Sequence, residues 1–190
     1  MAGKIFFDKV LSFISVLFFG FVILFFWLVT TLDTKSNGFF CQERIGQFGK
    51  KFTIYKLRTF HSKTGQVSPI GQFLRRNKID ELPQLINILI GNMSFVGPRP
   101  DIPGYYDLLK GENRKILLLK PGLTCEASLK YFDEEVILSQ KDNPQAYYDA
   151  VIFPDKVAMN LDYYYNHSFV GDLLILWKTV FRLKGVRDKR

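Results

Sequence analysis

A run of 23 uncharged, mostly apolar residues from Val10 to Leu32 dominates the first part of the chain. As a helix this run measures about 35 Å, which is long enough to cross a bilayer. Lys4 and Lys9 precede it and Lys35 follows it. A single span would place one basic flank outside, whereas basic flanks tend to stay on the cytoplasmic side. The pattern favours a re-entrant helical hairpin that uses one membrane face, with a single span as the alternative.

Strand-like alternation takes over from Phe39 to Phe60, after a turn at Asn37-Gly38. Within FTIYKLRTF, residues 52–60, the alternation directs apolar side chains toward a core and puts Lys56 and Arg58 on the opposite face. Basic residues in such places form an ordinary solvated strand face, or they bind an anionic group such as a phosphate.

The stretch from Arg75 to Pro100 organises the rest of the chain. Pro83 is tolerated only in the first turn of a helix, and Gly91 is a natural stop. Between them, apolar residues recur at helical spacing: Leu82, Leu85, Ile86, Leu89 and Ile90. This pattern predicts a short helix that begins near Asp80, whose side chain can cap it. Asp80 and Glu81 then lie at the helix N-terminus, where negative charge is favoured.

Two interpretations of the acidic pair are open. In the simpler one, Asp80 is an N-cap and Glu81 is an ordinary first-turn acid. In the other, the pair works with Arg75, a turn upstream, and with Arg99, which two prolines bias toward an extended backbone. Guanidinium groups match phosphate geometry, and carboxylates can attack phosphorus or hold a divalent metal. This combination indicates metal-assisted phosphate chemistry.

The second half of the chain predicts helices with apolar faces. The pattern predicts an amphipathic helix over residues 105–119 and two helices over residues 143–165 with a break at Pro154. Residues 168–183 carry an apolar stripe that includes Trp177 and is flanked by basic residues. Such a stripe either packs in a core or lies on an anionic membrane surface.

Composition narrows the choice of partners. A chain of 190 residues allows one domain with appendages. A net charge of +8 with 16% aromatic residues suits an anionic membrane surface or anionic substrates. Nucleic acid is the rival partner, but no zinc finger, RNP motif or helix-turn-helix is recognisable. The two cysteines, Cys41 and Cys125, lie far apart, which favours reduced cytoplasmic thiols over a disulfide framework.

Three segments resemble the bacterial sugar transferases: IDELPQLINILIGNMSFVGPRP at 79–100, FTIYKLRTF at 52–60 and KPGLT at 120–124. More narrowly, they resemble the small, single-domain, monotopic phosphoglycosyl transferases, and the likeness covers nearly the whole chain. The resemblance implies an α+β, mostly helical fold. Residues 1–36 are then a re-entrant membrane helix. Residues 37–190 are a cytoplasmic catalytic domain, with a small β element and amphipathic interfacial helices around the active site.

The resemblance also implies an activity. A sugar-1-phosphate passes from a UDP-sugar to undecaprenyl or another polyprenyl phosphate, with release of UMP, at the start of glycan assembly. Asp80 is expected to be the nucleophile, through an aspartyl-phosphosugar, and a ligand of Mg²⁺, with Glu81 as its catalytic partner. The expected phosphate and substrate ligands are Lys56, Arg58, Arg75 and Arg99. The expected location is the cytoplasmic face of the bacterial inner membrane, with membrane lipids rather than nucleic acid as partners and a homodimer as an open option.

Departures from the family pattern keep alternatives open. Gly20-Phe21 stands where relatives carry a Ser-Pro pair that breaks the membrane helix, and glycine permits a bend without forcing one. Asn92 replaces the aspartate of a common GDMS run. The alternatives are therefore an inactive transferase and a membrane-anchored binding protein for anionic lipid or nucleic acid. The run CEASLKYFDEE replaces a tryptophan-containing one; it is a charged surface loop, or it recognises the sugar or nucleotide through Lys130, Tyr131, Glu134 and Glu135.

Overall fold

The computed structural model describes the backbone of residues 2–188 and the side chains of residues 3–182. Helices hold 62% of the residues and the sheets are small, which confirms the predicted mostly helical α+β class. The α-helices are α1 (Ala2–Thr34), α2 (Pro69–Arg76), α3 (Gln84–Ile90), α4 (Glu126–Lys130), α5 (Glu134–Ser139), α6 (Pro144–Tyr147), α7 (Phe153–Asn166) and α8 (Phe169–Asp188). Two two-stranded sheets pair β1 (Phe39–Ile45) with β2 (Lys51–Leu57), and β3 (Ser94–Val96) with β4 (Gly122–Thr124).

Contacts divide the chain into two compact units. The first contains the residues up to Arg44 together with Lys51–Met93, and the second contains Ile45–Lys50 and the residues from Ser94 onward. The first unit therefore holds α1 to α3 and most of the β1-β2 sheet. The second holds the β3-β4 sheet and α4 to α8. The predicted boundary at residue 36, between a membrane part and a catalytic part, stays a prediction.

Helix α1 runs for 33 residues without interruption. The break predicted at Gly20-Phe21 is absent from it, so the re-entrant hairpin predicted for residues 1–36 is not seen in this structure. The physical reason is that glycine does not impose a bend, and no proline removes a backbone hydrogen bond in this run. The segment Gly3–Thr34 is long and apolar enough to cross a membrane; its apolar window has a mean hydropathy of 2.6 and is 11% buried.

In the first unit, α1 packs against α3, and Ser68 ties the end of α1 to the start of α2. The Ser68 hydroxyl donates to the Asp33 carboxylate and accepts a hydrogen bond from the Gly71 amide at 2.9 Å, which caps α2. The predicted turn after α1 and the predicted strands are confirmed. Ile54 and Leu57 of β2 are buried, as their alternation with basic residues predicted.

In the second unit, β3 and β4 are parallel and pair Ser94 with Gly122 and Val96 with Thr124. The two backbones approach closely. A Cβ on Gly122 would lie 2.1 Å from the amide nitrogen of Gly97, so only glycine fits there. The family-like segments that end in VGPRP and KPGLT therefore meet in one sheet.

The amphipathic helix predicted over residues 105–119 is wrong. The segment instead forms two 3₁₀-helices, Tyr106–Leu108 and Gly111–Leu118. Lys110 is extended and Gly111 has a φ of 56°, so a regular helix cannot pass through them. A buried cluster still forms around this segment: Ile45, Tyr106, Ile116, Leu117 and Val157.

The two helices predicted over residues 143–165 form as α6 and α7, but the predicted break at Pro154 is wrong, because the chain stays helical from Pro144 to Asn166. A π-helical turn, Tyr148–Ile152, joins them. Pro154 lies in the first turn of α7, directly after this π-helical turn.

Helix α8 has a buried face and an exposed apolar face. Asp172 and Ile175 are 5% and 4% exposed and face the second unit. The exposed apolar face consists of Phe169, Val170, Leu173, Leu174, Trp177, Val180 and Phe181. Core packing is therefore the wrong interpretation of this stripe, and the membrane-surface interpretation stays a prediction.

Candidate active site

Lys78, whose backbone adopts the left-handed conformation, directly precedes the turn that contains Asp80 and Glu81. Its φ of 55° leads the chain into a single 3₁₀ turn, Ile79–Glu81, and α3 begins only after Pro83. Asp80 lies inside this turn, and neither the turn nor α3 has a side-chain cap. The predicted N-cap role of Asp80 is wrong because Pro83, which has no polar side chain, occupies the cap position of α3.

Both members of the acidic pair are buried, Asp80 at 7% and Glu81 at 9% exposure. Among the described residues, Oδ1 of Asp80 has no hydrogen-bond partner. Desolvation by burial, followed by the charge of Glu81, raises the pKa of Asp80 from 3.8 to about 6. A buried carboxylate with an unused oxygen and a pKa near neutrality is typical of a functional site.

Three basic side chains oppose this rise. Lys56, then Lys78 and Arg75, lower the pKa of Asp80. Lys56 also forms an ion pair with Glu81, with 3.7 Å between Nζ and Oε1 and side-chain exposures of 18% and 11%. The first unit thus brings four of the predicted site residues together, and their catalytic roles stay predictions.

Helix α2 positions Arg75. Its Nε donates to Oγ1 of Thr59 at 2.8 Å, and Thr59 is buried. One turn earlier, Gly71 approaches the same residue so closely that a Cβ would lie 2.0 Å from the Thr59 carbonyl oxygen. This close approach and the hydrogen bond fix Arg75 relative to the end of β2.

The contacts of Arg58 differ from those of Lys56. Its Nε donates to the carbonyl of Asn37 at 2.8 Å, and Nη2 donates to that of Phe39 at 3.4 Å. The guanidinium lies 5.6 Å and 5.4 Å from the ring centroids of Phe40 and Phe60. These contacts hold the turn that follows α1, and the predicted phosphate-binding role of Arg58 stays a prediction.

Arg99 belongs to the second unit. Its Nη1 donates to the carbonyl oxygen of Leu123 in β4 at 3.2 Å. The flanking prolines, Pro98 and Pro100, are both buried, so the backbone on either side of the guanidinium group is held. Its predicted role as a phosphate ligand stays a prediction.

Sequence reasoning missed two buried polar residues of α3, Gln84 and Asn87, which are 2% and 0% exposed. Nε2 of Gln84 has no hydrogen-bond partner within the described part of the chain. Asn87 bonds to the backbone of β2. The available signal was polar side chains within a short apolar helix, because buried amides are normally present to make hydrogen bonds.

The run CEASLKYFDEE, which departs from the family pattern, is engaged in contacts with α7. Lys130 Nζ and the Tyr131 hydroxyl both donate to Oδ2 of Asp155 at 2.8 Å. Glu134 pairs with Lys156 at 2.5 Å. These interactions hold α4 and α5 on α7, and a role for this run in sugar or nucleotide recognition stays a prediction.

The sequence matches the model of the bacterial sugar transferase family over residues 1–185. The uncharacterized sugar transferase EpsL of Bacillus subtilis is 34% identical over 169 residues, which are 84% of this chain and 76% of the relative. The UDP-glucose:undecaprenyl-phosphate glucose-1-phosphate transferase of Caulobacter vibrioides is 32% identical over 171 residues, 80% of this chain and 59% of the relative.

A third relative is the UDP-N-acetylgalactosamine-undecaprenyl-phosphate N-acetylgalactosaminephosphotransferase of Aeromonas hydrophila. It is 28% identical over 166 residues, 78% of this chain but only 36% of the relative. The chain therefore spans less than two thirds of the length of the two relatives whose names state their substrates. Because the family model covers nearly every residue, the chain belongs to the bacterial sugar transferase family.

Proposed function

We propose that this protein transfers a sugar-1-phosphate from a UDP-sugar to undecaprenyl or another polyprenyl phosphate and releases UMP, at the start of glycan assembly. The observation that carries the proposal is the buried Asp80 carboxylate beside the Lys56–Glu81 ion pair; one oxygen of this carboxylate has no hydrogen-bond partner among residues 3–182. The names of the Caulobacter and Aeromonas relatives, which pair a UDP-sugar with undecaprenyl phosphate, support the two substrate classes.

In the first step, an Asp80 oxygen attacks the sugar-bearing phosphorus of the donor. A new P–O bond forms, the bridging P–O bond to the uridine-bearing phosphate breaks, and UMP leaves with the electron pair. Carboxylates act as nucleophiles in this way in aspartyl-phosphate enzymes. With a pKa of about 6, Asp80 is mostly ionised at neutral pH, as a nucleophile requires.

In the second step, an oxygen of the polyprenyl phosphate attacks the same phosphorus, and Asp80 leaves as a carboxylate. The product is a polyprenyl diphosphate sugar. Glu81 orients the site or assists the acceptor phosphate, and its ion pair with Lys56 sets its position. Lys56 and Arg75 offer positive charge to phosphate oxygens next to the acidic pair, with Arg58 and Arg99 as further candidates.

Mg²⁺ is part of the proposal. Proteins hold this ion through one or two carboxylates together with substrate phosphates. Asp80 fits such a site because no described residue forms a hydrogen bond with its Oδ1. The described residues contain no cluster of three or more His, Cys, Asp or Glu side chains that could hold a metal ion, so the donor phosphates would complete the ligand set. When bound, Mg²⁺ offsets the negative charge of the diphosphate.

The proposed location is the cytoplasmic face of the bacterial inner membrane. Helix α1 supplies a segment long enough to span a bilayer. The exposed apolar face of α8 includes Trp177, whose ring centroid lies 4.2 Å from that of Phe181, and the basic residues Lys178 and Arg182 belong to the same helix. Tryptophan and basic residues on one helix suit an anionic lipid surface, so α8 is proposed as an interfacial helix.

The test is a panel of UDP-sugars with purified protein in nanodiscs, polyprenyl phosphate and Mg²⁺, with released nucleotide identified by chromatography. UMP release by the parent chain and by the exposed control Asp142→Asn, but not by Asp80→Asn, is the expected result. Release of UDP would show transfer of a bare sugar and contradict the proposal. No release from any donor, with anionic lipid still bound, would favour the binding-protein alternative.

A further inference from the structure

Asn87 joins the helix that follows the acidic pair to the strand that carries Lys56. Its Oδ1 accepts a hydrogen bond from the Tyr55 amide at 3.1 Å, and its Nδ2 donates to the Thr53 carbonyl at 2.7 Å. A strand beside β2 would use the same amide and carbonyl groups for pairing. One side chain of α3 therefore takes the place of a neighbouring strand along this part of β2.

The Asn87 amide has one possible orientation. The Tyr55 N–H can only donate and the Thr53 carbonyl can only accept, so Oδ1 and Nδ2 cannot exchange places. Asn87 is 0% exposed. The backbone carbonyl oxygen of Asn87 accepts hydrogen bonds from the backbone amides of Asn92 and Met93 at 2.9 Å and 3.1 Å, and these bonds fix the end of α3. Hydrogen bonds therefore fix the side chain of Asn87 on β2 and the backbone of Asn87 at the end of α3.

The hydrogen bonds of Asn87 join two elements that each lie next to candidate active-site residues. Lys56 directly follows Tyr55 in β2, and its ammonium lies 3.7 Å from the Glu81 carboxylate. Glu81 in turn lies just before α3, which carries Asn87. The acidic pair and Lys56 are 24 positions or more apart in sequence, so their proximity depends on how α3 is attached to β2.

We propose that Asn87 is a positioning residue, which holds Lys56 beside the acidic pair by fixing β2 on α3. The catalytic meaning of this inference rests on the proposed function, because Lys56 would act there on donor phosphates. Without Asn87, β2 loses these two hydrogen bonds to α3 at once, and Lys56 no longer keeps its place relative to Glu81. A displacement of about 1 Å in such a group is enough to slow an enzyme about 100-fold.

A double-mutant cycle in UMP release tests the inference. Asn87→Ala and Lys56→Gln are each expected to lower kcat by about tenfold or more. The double variant should be no slower than Lys56→Gln within about twofold, because no ammonium is left to position. Losses that multiply would show that Asn87 acts independently of Lys56, and would overturn the inference. Asn87→Ser, whose shorter side chain cannot reach both groups, repeats the cycle if Asn87→Ala does not fold.

A matched control addresses loss of stability alone. Asn143 caps α6 in the second unit by accepting a hydrogen bond from the Ala146 amide at 3.0 Å, and it is exposed. Asn143→Ala also removes a side-chain bond from an asparagine, and it should lower Tm while kcat at 25 °C stays unchanged. An equal loss of kcat in this variant would mean that the assay reports general destabilisation rather than the position of Lys56, and the inference would fail.

A second readout does not require activity. Thermal unfolding of Lys56→Gln, Glu81→Gln and their double variant measures the coupling within the ion pair. Non-additive Tm shifts are expected in the parent background and additive shifts in the Asn87→Ala background. Coupling that persists without Asn87 would overturn the inference. If no donor yields UMP but the coupling disappears with Asn87, the proposed function fails while the positioning role stands.

Discussion

The ammonium of Lys56 lies 3.7 Å from the carboxylate of Glu81, while one oxygen of the neighbouring Asp80 has no hydrogen-bond partner in the part of the chain that the structure describes. The two acidic residues therefore differ in their surroundings. Glu81 is held by a cation, whereas Asp80 is available to a phosphorus atom or a metal ion. Because the pair is buried, each carboxylate is sensitive to the charge of the other. The arrangement therefore leads to specific predictions for Asp80.

Asp80→Asn should stabilise the metal-free protein in a pH-dependent way. Burial raises the pKa of Asp80 from 3.8 to about 6, so the contribution of Asp80 to the free energy of unfolding is fully present below pH 3.8 and is lost as pH rises through 6. The variant should gain up to about 3 kcal/mol over the parent at pH 7.5 and almost nothing at pH 4. The measurement is unfolding in EDTA across this range. A difference that stays constant with pH would contradict the raised pKa.

Mg²⁺ should act through Asp80 even when no turnover occurs. Adding the ion with UMP, which supplies phosphate oxygens, should raise the Tm of the parent at pH 7.5, since binding to the folded state stabilises it. Asp80→Asn should show little of this shift, and the exposed control Asp142→Asn should show all of it. An equal shift in all three proteins would place the metal away from Asp80.

Gln84→Met should raise the stability of the ligand-free protein. Gln84 is 2% exposed and its Nε2 has no partner among the described residues, which is unfavourable for a buried donor. Methionine has similar length and no polar atom to desolvate, so a gain of about 1 kcal/mol is expected. The measurement is ligand-free denaturant unfolding. A marked loss of stability would show that the amide is hydrogen-bonded in the folded protein.

Trp177 should report contact between α8 and lipid. The chain has two tryptophans, so Trp27→Phe leaves Trp177 as the single tryptophan, which can be excited selectively over the tyrosines. Trp177 is 59% exposed, and its emission should shift to shorter wavelength in nanodiscs containing anionic lipid, with quenching by brominated acyl chains. Quenching by aqueous iodide, with no quenching by brominated lipid, would contradict the interfacial placement of α8.

Local chemistry in the sequence was enough to predict several elements. Gly91 ends α3 in a left-handed conformation with φ of 93°, because glycine carries no Cβ penalty there. The start of α2 follows the same kind of local rule, because the Ser68 side chain caps the helix and Pro69 lies in its first turn. These signals act within a few residues, so the pattern alone identifies them.

Other features depend on contacts or backbone choices that the pattern does not contain. The left-handed Lys78 displaces Asp80 from the cap position, and a lysine gives no signal for that conformation. The Asn87 bonds to β2 join residues 32 and 34 positions apart. The acidic pair and Lys56 were predicted from the residue pattern together with the family resemblance, but the Lys56–Glu81 ion pair depends on how α3 packs against β2.

The central claim is that Asp80 carries the sugar-phosphate during transfer. The most direct measurement is intact-protein and peptide mass spectrometry after incubation with the donor identified in the panel, Mg²⁺ and no acceptor. The account predicts one sugar-phosphate adduct per chain, located on the peptide containing Asp80, lost on adding polyprenyl phosphate and absent from Asp80→Asn. Product formation by Asp80→Asn at the parent rate, or an adduct on another residue, would contradict it.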